Sequence, residues 1–183
     1  MTRMFPTVGR MSRGYDREEV DTFFSRARAA YEGTNGAAQL TGQDVRQAAF
    51  DLVRHGYSTT AVDAALDRLE AAFVQRERAE FVADRGQAAW MHEVADRATT
   101  LYGRLTRPEN ERFAQPEHGH GYDTEDVDAL LDRLVDYFDA GVPLTASEIR
   151  SATFRSAPRT RAYAEGPVDA FLDRVVDVLL SVE

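Results

Sequence analysis

The sequence of 183 residues contains no cysteine, no lysine and no long run of apolar residues. Without cysteine the chain has no disulfide, no thiol nucleophile and no cysteine-ligated metal. Without lysine it cannot complete a Gly-x-x-x-x-Gly-Lys phosphate loop. Its longest apolar stretches, such as residues 178–180, are far shorter than the roughly 20 residues that cross a bilayer as a helix. We therefore predict a fold that is held together by packing alone.

Basic charge is also scarce in this chain. There are 31 acidic residues against 22 basic ones, all of them arginine, and the net charge is −9. Because nucleic-acid binding needs a basic surface, this balance argues against a nucleic-acid partner. Residues 1–11 contain charges and Pro6 and lack the apolar core of a signal peptide. We therefore expect a cytoplasmic protein.

What the chain does contain is one short motif that occurs four times. Each copy has a tyrosine, a valine five residues later and an aspartate directly after the valine. These residues are Tyr15, Val20 and Asp21; Tyr57, Val62 and Asp63; Tyr122, Val127 and Asp128; and Tyr163, Val168 and Asp169. Glycine precedes the tyrosine in three copies. Four copies in one frame indicate a repeat architecture.

A helix is predicted to begin just after each tyrosine. Apolar residues follow the valine at steps of four, three and four, and in the second copy they are Leu66, Leu69 and Phe73. This spacing predicts an amphipathic helix of about two heptads. Asp16 with Glu19, and Asp123 with Asp126, combine a capping side chain with a carboxylate three residues later, which is typical of a helix start.

A shorter segment that ends in phenylalanine precedes the motif. It covers residues 40–50 and 144–154, with a shortened version at 105–113. Each of these begins with a threonine followed three residues later by a carboxylate, which predicts a capped short helix. The pairs are Thr41 with Asp44, Thr106 with Glu109, and Thr145 with Glu148. We expect the motif glycine to form a turn with positive φ, and the tyrosine to keep its hydroxyl near solvent.

The spacing of the tyrosines groups the four copies into two pairs. Successive tyrosines are 42, 65 and 41 residues apart, so an insertion separates copies one and two from copies three and four. We predict an all-α fold of tandem short-helix, turn and long-helix repeats, packed as a helical bundle or short coiled coils in two internal pseudo-dimers. A HEAT-type α-solenoid has a similar period and is the alternative fold.

The predicted domain boundaries follow the same grouping. Residues 1–85 hold repeats 1 and 2, residues 86–103 form a helical insertion or connector, and residues 104–183 hold repeats 3 and 4. Gly86 interrupts the helical pattern in the insertion. The insertion is therefore either one long kinked helix or two helices.

No catalytic pattern is visible in the sequence. No Gly-x-Ser-x-Gly surrounds a serine, and repetition of a fold explains four copies of one aspartate better than catalysis does. His118 and His120 flank Gly119 near Glu117, but the further ligands that zinc requires are absent. We therefore expect no catalysis, metal, cofactor or small-molecule substrate. An enzyme built on a helical-repeat frame is the less favoured interpretation.

The motif resembles the N-terminal domain of the DivIVA family, in the form of the short DivIVA-type repeats of actinobacterial proteins. Residues 13–21 and 121–128 carry the resemblance most clearly, and residues 144–150 match the short helix that opens the family domain. The resemblance implies a cytoplasmic scaffold that self-associates through coiled coils. Such a scaffold collects at curved membrane, at division sites or poles, and recruits other proteins.

The resemblance also implies a lipid contact in the turn before the Gly-Tyr pair, where the family has an exposed phenylalanine followed by arginine. The arginine position corresponds to Arg13, His55, His120 and Arg161 in the four copies. The phenylalanine position holds no apolar residue in any copy, although Met11 lies next to it in the first. Those four residues and Met11 are the candidates for contact with a membrane or a partner.

From these observations we expect a non-catalytic DivIVA-like scaffold or adaptor that serves bacterial cell division or polar growth. It would act through helix-mediated contacts with division or polar-growth proteins, or with a second copy of itself, at the septum or pole. The alternative is a peripheral membrane-binding module that docks through the turns before the Gly-Tyr motifs. The sequence leaves open the partner, the oligomeric state and whether the repeats pair within one chain.

Overall fold

A computed structural model describes residues 4–9, 11–33 and 39–182 of the chain. The chain folds as two compact units, Met1–Glu80 and Phe81–Glu183. The elements of the first unit are β1 (Arg13–Tyr15), α1 (Arg17–Tyr31), α2 (Gly42–Arg46), β2 (Leu52–Arg54) and most of α3 (Thr59–Arg85). Strands β1 and β2 are antiparallel, with Tyr15 opposite Leu52. Tyr57 forms an isolated antiparallel bridge with Tyr15.

After one additional helix, the second unit has the same order of elements as the first, with one further strand before its last helix. Its elements are α4 (Gln87–Leu105), β3 (His120–Asp123), α5 (Thr124–Ala140), α6 (Ala146–Arg150), β4 (Ser156–Pro158), β5 (Ala162–Tyr163) and α7 (Glu165–Val182). Strand β3 lies in the middle of an antiparallel sheet of order β4-β3-β5. One 3-10 turn, Arg159–Arg161, connects β4 to β5.

The prediction of an all-α fold is correct for most of the chain but wrong at the short strands β1 to β5, of which β1 and β3 contain a Gly-Tyr pair. A Cβ on Gly14 would lie 2.1 Å from the carbonyl oxygen of Tyr57, and one on Gly121 equally close to that of Tyr163. Neither glycine has a positive φ. Glycine is therefore required because two backbones meet there, and the predicted left-handed turn is wrong.

Four of the predicted helix starts are confirmed. The carboxylates of Asp16 and Asp123 cap α1 and α5 by accepting backbone N–H groups of the first turn. Reciprocal capping boxes open α2 and α6, formed by Thr41 with Asp44 and by Thr145 with Glu148. Each cap satisfies backbone donors that the helix itself cannot pair, and such a side chain contributes about 1 kcal/mol.

The capping box predicted at Thr106 and Glu109 is wrong. Thr106 follows the last residue of α4 as its C-cap, and its hydroxyl donates to the carbonyl oxygen of Tyr102 at 2.9 Å. Threonine can bond backward to a carbonyl one turn earlier as readily as forward to an N–H. The same four-residue pattern therefore ends a helix here, because α4 supplies the carbonyl.

The valines of the four motifs lie at the centre of the two cores. All four are fully buried, and burying one such side chain is worth about 1.5–3 kcal/mol. In the first unit, Ala27, Val45 and Phe73 form a second cluster that joins α1, α2 and α3. The predicted apolar seam of α1 is less complete at Tyr31, which is 44% exposed because it is the last residue of that helix.

The insertion is two helices, since Gly86 separates α3 from α4 with φ 86° and ψ 159°. Trp90, Val94 and Leu101 are buried on one face of α4, and the helix packs against α5 and α7. The indole Nε1 of Trp90 donates to the carbonyl oxygen of Ser181 at 3.2 Å. Helix α4 is thus part of the core of the second unit.

Candidate functional site

The motif tyrosines and aspartates of the first unit bind each other across the two motif copies. The hydroxyl of Tyr57, in the second copy, donates to Oδ2 of Asp21 in the first at 3.2 Å. In return, Tyr15, in the first copy, interacts electrostatically with Asp63 in the second: burial and this carboxylate raise the pKa of the tyrosine. The strand pairing brings the tyrosines together, and each then reaches the start of the helix that follows the other.

The second unit makes the same exchange. The hydroxyl of Tyr163 donates to the carboxylate of Asp128, with oxygen–oxygen distances of 3.0 and 3.1 Å. Tyr122 interacts electrostatically with Asp169: burial and this carboxylate raise the pKa of the tyrosine. The motif aspartates therefore accept hydrogen bonds from tyrosine in both units, a role beyond the favourable charge that a carboxylate brings to a first helical turn.

One tyrosine of each unit is buried, contrary to the prediction that the hydroxyls lie near solvent. Tyr57 is 2% exposed and Tyr163 is 1% exposed. Burial, with the neighbouring carboxylate, raises the pKa of Tyr57 and raises the pKa of Tyr163 to about 12. A tyrosine that acts as an acid or nucleophile needs a pKa nearer to neutrality. These two hydroxyls are therefore suited to holding the fold and unsuited to proton transfer.

A buried arginine extends the network of the second unit. The backbone N–H of Arg112 donates to the hydroxyl of Tyr163 at 3.1 Å, and its Nη1 donates to the carbonyl oxygen of Asp128 at 2.8 Å. Its Nη2 is paired with the carboxylate of Asp132. The backbone N–H of Asn110 also donates to Asp128, at 2.7 Å. Each buried charge thus has a partner, as burial requires.

The candidate contact residues of the first unit lie near one end of its sheet. Met11 is 99% exposed in the turn before β1. Arg13 is exposed on β1 and faces Arg54, which is followed by His55. His55 is itself exposed and has a φ of 58°, in the left-handed region. This end of the sheet therefore combines two arginines and a histidine with a solvent-exposed methionine.

The corresponding residues of the second unit are also exposed. His120 opens β3 opposite Pro158. Arg161 ends the 3-10 turn, with its Nη2 4.0 Å from the carboxylate of Asp123. Within the described ranges, no group of three or more histidine, aspartate or glutamate side chains is arranged to hold a metal ion.

Two functional contacts involve residues outside the repeated motif, Asp51 and Arg155. The backbone N–H of Asp51 donates to the carboxylate of Glu19 at 2.8 Å, and that of Arg155 donates to the carboxylate of Asp126 at 2.8 Å. Glu19 and Asp126 were expected to complete the N-caps of α1 and α5. Instead they hold the segment that enters the neighbouring strand. The one sequence signal for Asp51 and Arg155 is that each directly follows the phenylalanine of the short segment.

Among the residues that the structure describes, no helix combines the length and the apolar composition needed to cross a membrane. Comparison of the chain with protein-family models, curated proteins and solved structures finds no match.

Proposed function

We propose that this chain is a non-catalytic, DivIVA-like scaffold or adaptor of bacterial cell division or polar growth. It acts in the cytoplasm, at the septum or pole, by binding other proteins or further copies of itself. The observation that carries the proposal is the reciprocal Tyr–Asp exchange in both units. The polar side chains of the repeated motif are engaged with each other, so its chemistry serves assembly and leaves the exposed turns for recognition.

We also infer that each unit is an internal pseudo-dimer of two motif copies. The Tyr–Asp contacts run in both directions, by a hydrogen bond in one and by an electrostatic contact in the other, which is the arrangement a two-fold interface produces. The strands support the same reading, because the Gly-Tyr segment of one copy lies antiparallel to the segment of the other. In this view one chain contains both halves of a contact that would otherwise need a second chain.

A fluorescent fusion of the full chain, imaged in the native cell, tests the proposed function. We expect foci or bands at division sites or poles. The double variant Tyr57→Phe and Tyr163→Phe is the matched comparison: it should lose this pattern together with stability. A uniformly diffuse signal from the stable wild-type fusion would refute the division or polar role.

A peripheral membrane module is the second candidate, favoured by the complete exposure of Met11 close to Arg13. An exposed methionine beside arginine can enter the interface of an anionic membrane. Co-sedimentation with vesicles containing anionic lipid distinguishes the two functions. The adaptor role predicts that binding is negligible and that Met11→Ser with Arg13→Ser changes nothing. Clear binding that this pair of substitutions removes, while Met91→Ser does not, would establish the membrane module instead.

A further inference from the structure

The two units differ in charge at one matched position. Asp51 and Arg155 each lie directly before the strand that pairs with the Gly-Tyr strand. The carbonyl oxygen of Asp51 accepts from the N–H of Asp16 at 2.8 Å, and that of Arg155 accepts from the N–H of Asp123 at the same distance. The N–H groups of the same two residues donate to the carboxylates of Glu19 and Asp126. Asp51 and Arg155 therefore occupy equivalent positions in the two units. One unit has an acid where the other has a base.

In the second unit, Arg155 binds the acidic first turn of α5. Its Nε donates to Oδ2 of Asp126 at 2.9 Å and its Nη2 to Oδ1 at 2.7 Å. The same Nη2 lies 3.4 Å from Asp123 and 3.7 Å from Glu125. This pairing lowers the pKa of Asp126 and raises the pKa of Arg155. Two parallel N–H···O bonds to one carboxylate are the strongest arrangement of such a pair.

In the first unit, the same surface has the carboxylates and lacks an arginine at the position of Arg155. Asp16, Glu18 and Glu19 occupy the first turn of α1, and Asp51 adds a fourth carboxylate in place of the arginine. Over the described ranges, none of the four forms an ion pair with an arginine or histidine. Glu18, Glu19 and Asp51 are exposed. Backbone N–H groups donate to Asp16 and Glu19, so dipoles rather than ion pairs offset the negative charge of this surface.

A groove of about 590 Å³ adjoins these carboxylates. The rings of Phe23 and Phe50 lie in it, 5.7 Å apart at their centroids in an edge-to-face arrangement, and Arg26 lies over the Phe23 ring. Both phenylalanines are only partly buried. At the position of Phe23 the second unit has Leu130, which is buried. The first unit thus combines an acidic rim with a partly exposed aromatic floor, and Arg26 of this chain already lies over the Phe23 part of it.

We propose that this groove, lined by Asp16, Glu18, Glu19, Phe23 and Phe50, binds an arginine side chain of a protein partner. The second unit supplies the template, since its carboxylates hold the guanidinium of Arg155 within the chain. A guanidinium fits both components of the groove: it pairs with two carboxylate oxygens at once and it stacks on aromatic rings. An ammonium group lacks the planar fork, so lysine should bind less well.

The inference rests on the proposed adaptor function for its biological meaning, but its test does not. The probe is the capped dipeptide acetyl-Phe-Arg-amide, titrated into isotope-labelled full-length protein and followed by NMR amide shifts. We expect shifts at Glu18, Glu19 and Asp51, with millimolar affinity. The lysine probe should bind more weakly, and the probe with neutral citrulline in place of arginine should produce no shifts there.

Two reciprocal substitutions make the test specific. Asp51→Arg places the missing guanidinium in the groove and should weaken binding of the probe about tenfold. Arg155→Asp removes the guanidinium from the matching surface of the second unit and should create only a weaker site at Asp126, because the buried Leu130 replaces Phe23 there. Glu18→Gln, a milder change at an exposed position, should weaken binding about threefold and replaces the first variant if that one does not fold.

The proposal is overturned if the probe produces no shifts at Asp51, if Asp51→Arg and Glu18→Gln bind it as well as wild type, or if the citrulline probe binds equally well. These outcomes are independent of the cellular test. Probe binding with a diffuse fusion would retain the site and refute the division role. Localisation without probe binding would do the reverse.

Discussion

Replacing Tyr163 by phenylalanine removes one oxygen atom from the interior of the second unit and leaves the ring in place. The ring packs at 5.3 Å from Phe113, centroid to centroid, and the substitution preserves this contact. The lost hydroxyl makes two kinds of hydrogen bond. It donates to the carboxylate of Asp128 and accepts from the backbone N–H of Arg112.

The magnitude follows from these two bonds. A hydrogen bond to a charged group contributes about 1.5–3 kcal/mol, and leaving a buried N–H unpaired costs about 1–3 kcal/mol. Asp128 retains the N–H of Asn110 as a partner, so we expect the sum to fall toward its lower end. Tyr163→Phe should therefore lower the free energy of unfolding by about 3 kcal/mol.

Urea denaturation followed by circular dichroism measures this change, with Tyr122→Phe as the matched control. Tyr122 is only partly buried, and its partner Asp169 is exposed. Its substitution should cost about 1 kcal/mol. A loss below about 0.5 kcal/mol for Tyr163→Phe, or equal losses for the two variants, would show that the buried exchange does not hold the unit together.

Three further predictions concern pH, the close backbone approach and a buried ion pair. Unfolded tyrosine ionises near pH 10, whereas Tyr163 in the folded chain keeps its proton to about pH 12. Between these pH values the folded state binds more protons than the unfolded state. The free energy of unfolding should therefore fall as pH rises from 10 to 12, by up to about 1.4 kcal/mol per pH unit. Urea titrations at several pH values measure this slope, which should be shallower in Tyr163→Phe; an unchanged slope would contradict it. Gly121→Ala should lower the free energy of unfolding by about 3 kcal/mol or more, since the new Cβ would lie 2.1 Å from a carbonyl oxygen. Gly103→Ala in α4 is the control: its Cβ has no atom within 4 Å, and the substitution should stabilise the protein by about 0.5–1 kcal/mol. Similar midpoints of thermal unfolding for the two variants would refute the close approach. Arg46→Ala should lower the free energy of unfolding, measured by urea denaturation, by about 3–5 kcal/mol. The buried Glu70 would lose its hydrogen bonds of 2.7 and 2.5 Å to the Arg46 guanidinium. A change under about 1 kcal/mol would mean that solvent replaces the guanidinium as the partner of Glu70.

The helices could be predicted from the sequence because their signals are local. The four-three-four spacing after Val62 places its apolar residues on one face of α3, and Thr41 with Asp44 makes its capping box within four residues. Gly86 correctly suggested a break, although the choice between one kinked helix and two depended on its backbone angles. Thr106 shows where such local signals fail, since the same capping pattern can precede a helix or, as here, follow one.

The strands and the Tyr–Asp pairs could not be predicted, because each depends on a partner far along the chain. Gly14 is required by the carbonyl group of Tyr57, 43 residues later. A glycine that permits close approach and one that permits a positive φ look the same in sequence. The contrast between Asp51 and Arg155 was likewise hidden, since both positions lie outside the repeated motif and acquire meaning only from the register of β2 and β4.

The central claim is that the two motif copies of each unit pair within one chain. Sedimentation velocity on two separate segments, residues 1–85 and 81–183, tests it most directly when combined with circular dichroism. The account predicts that each segment is a folded, helical monomer, because each contains both sides of its Tyr–Asp exchange. A segment that is unfolded, or that folds only as a stable oligomer such as a tetramer, would contradict it.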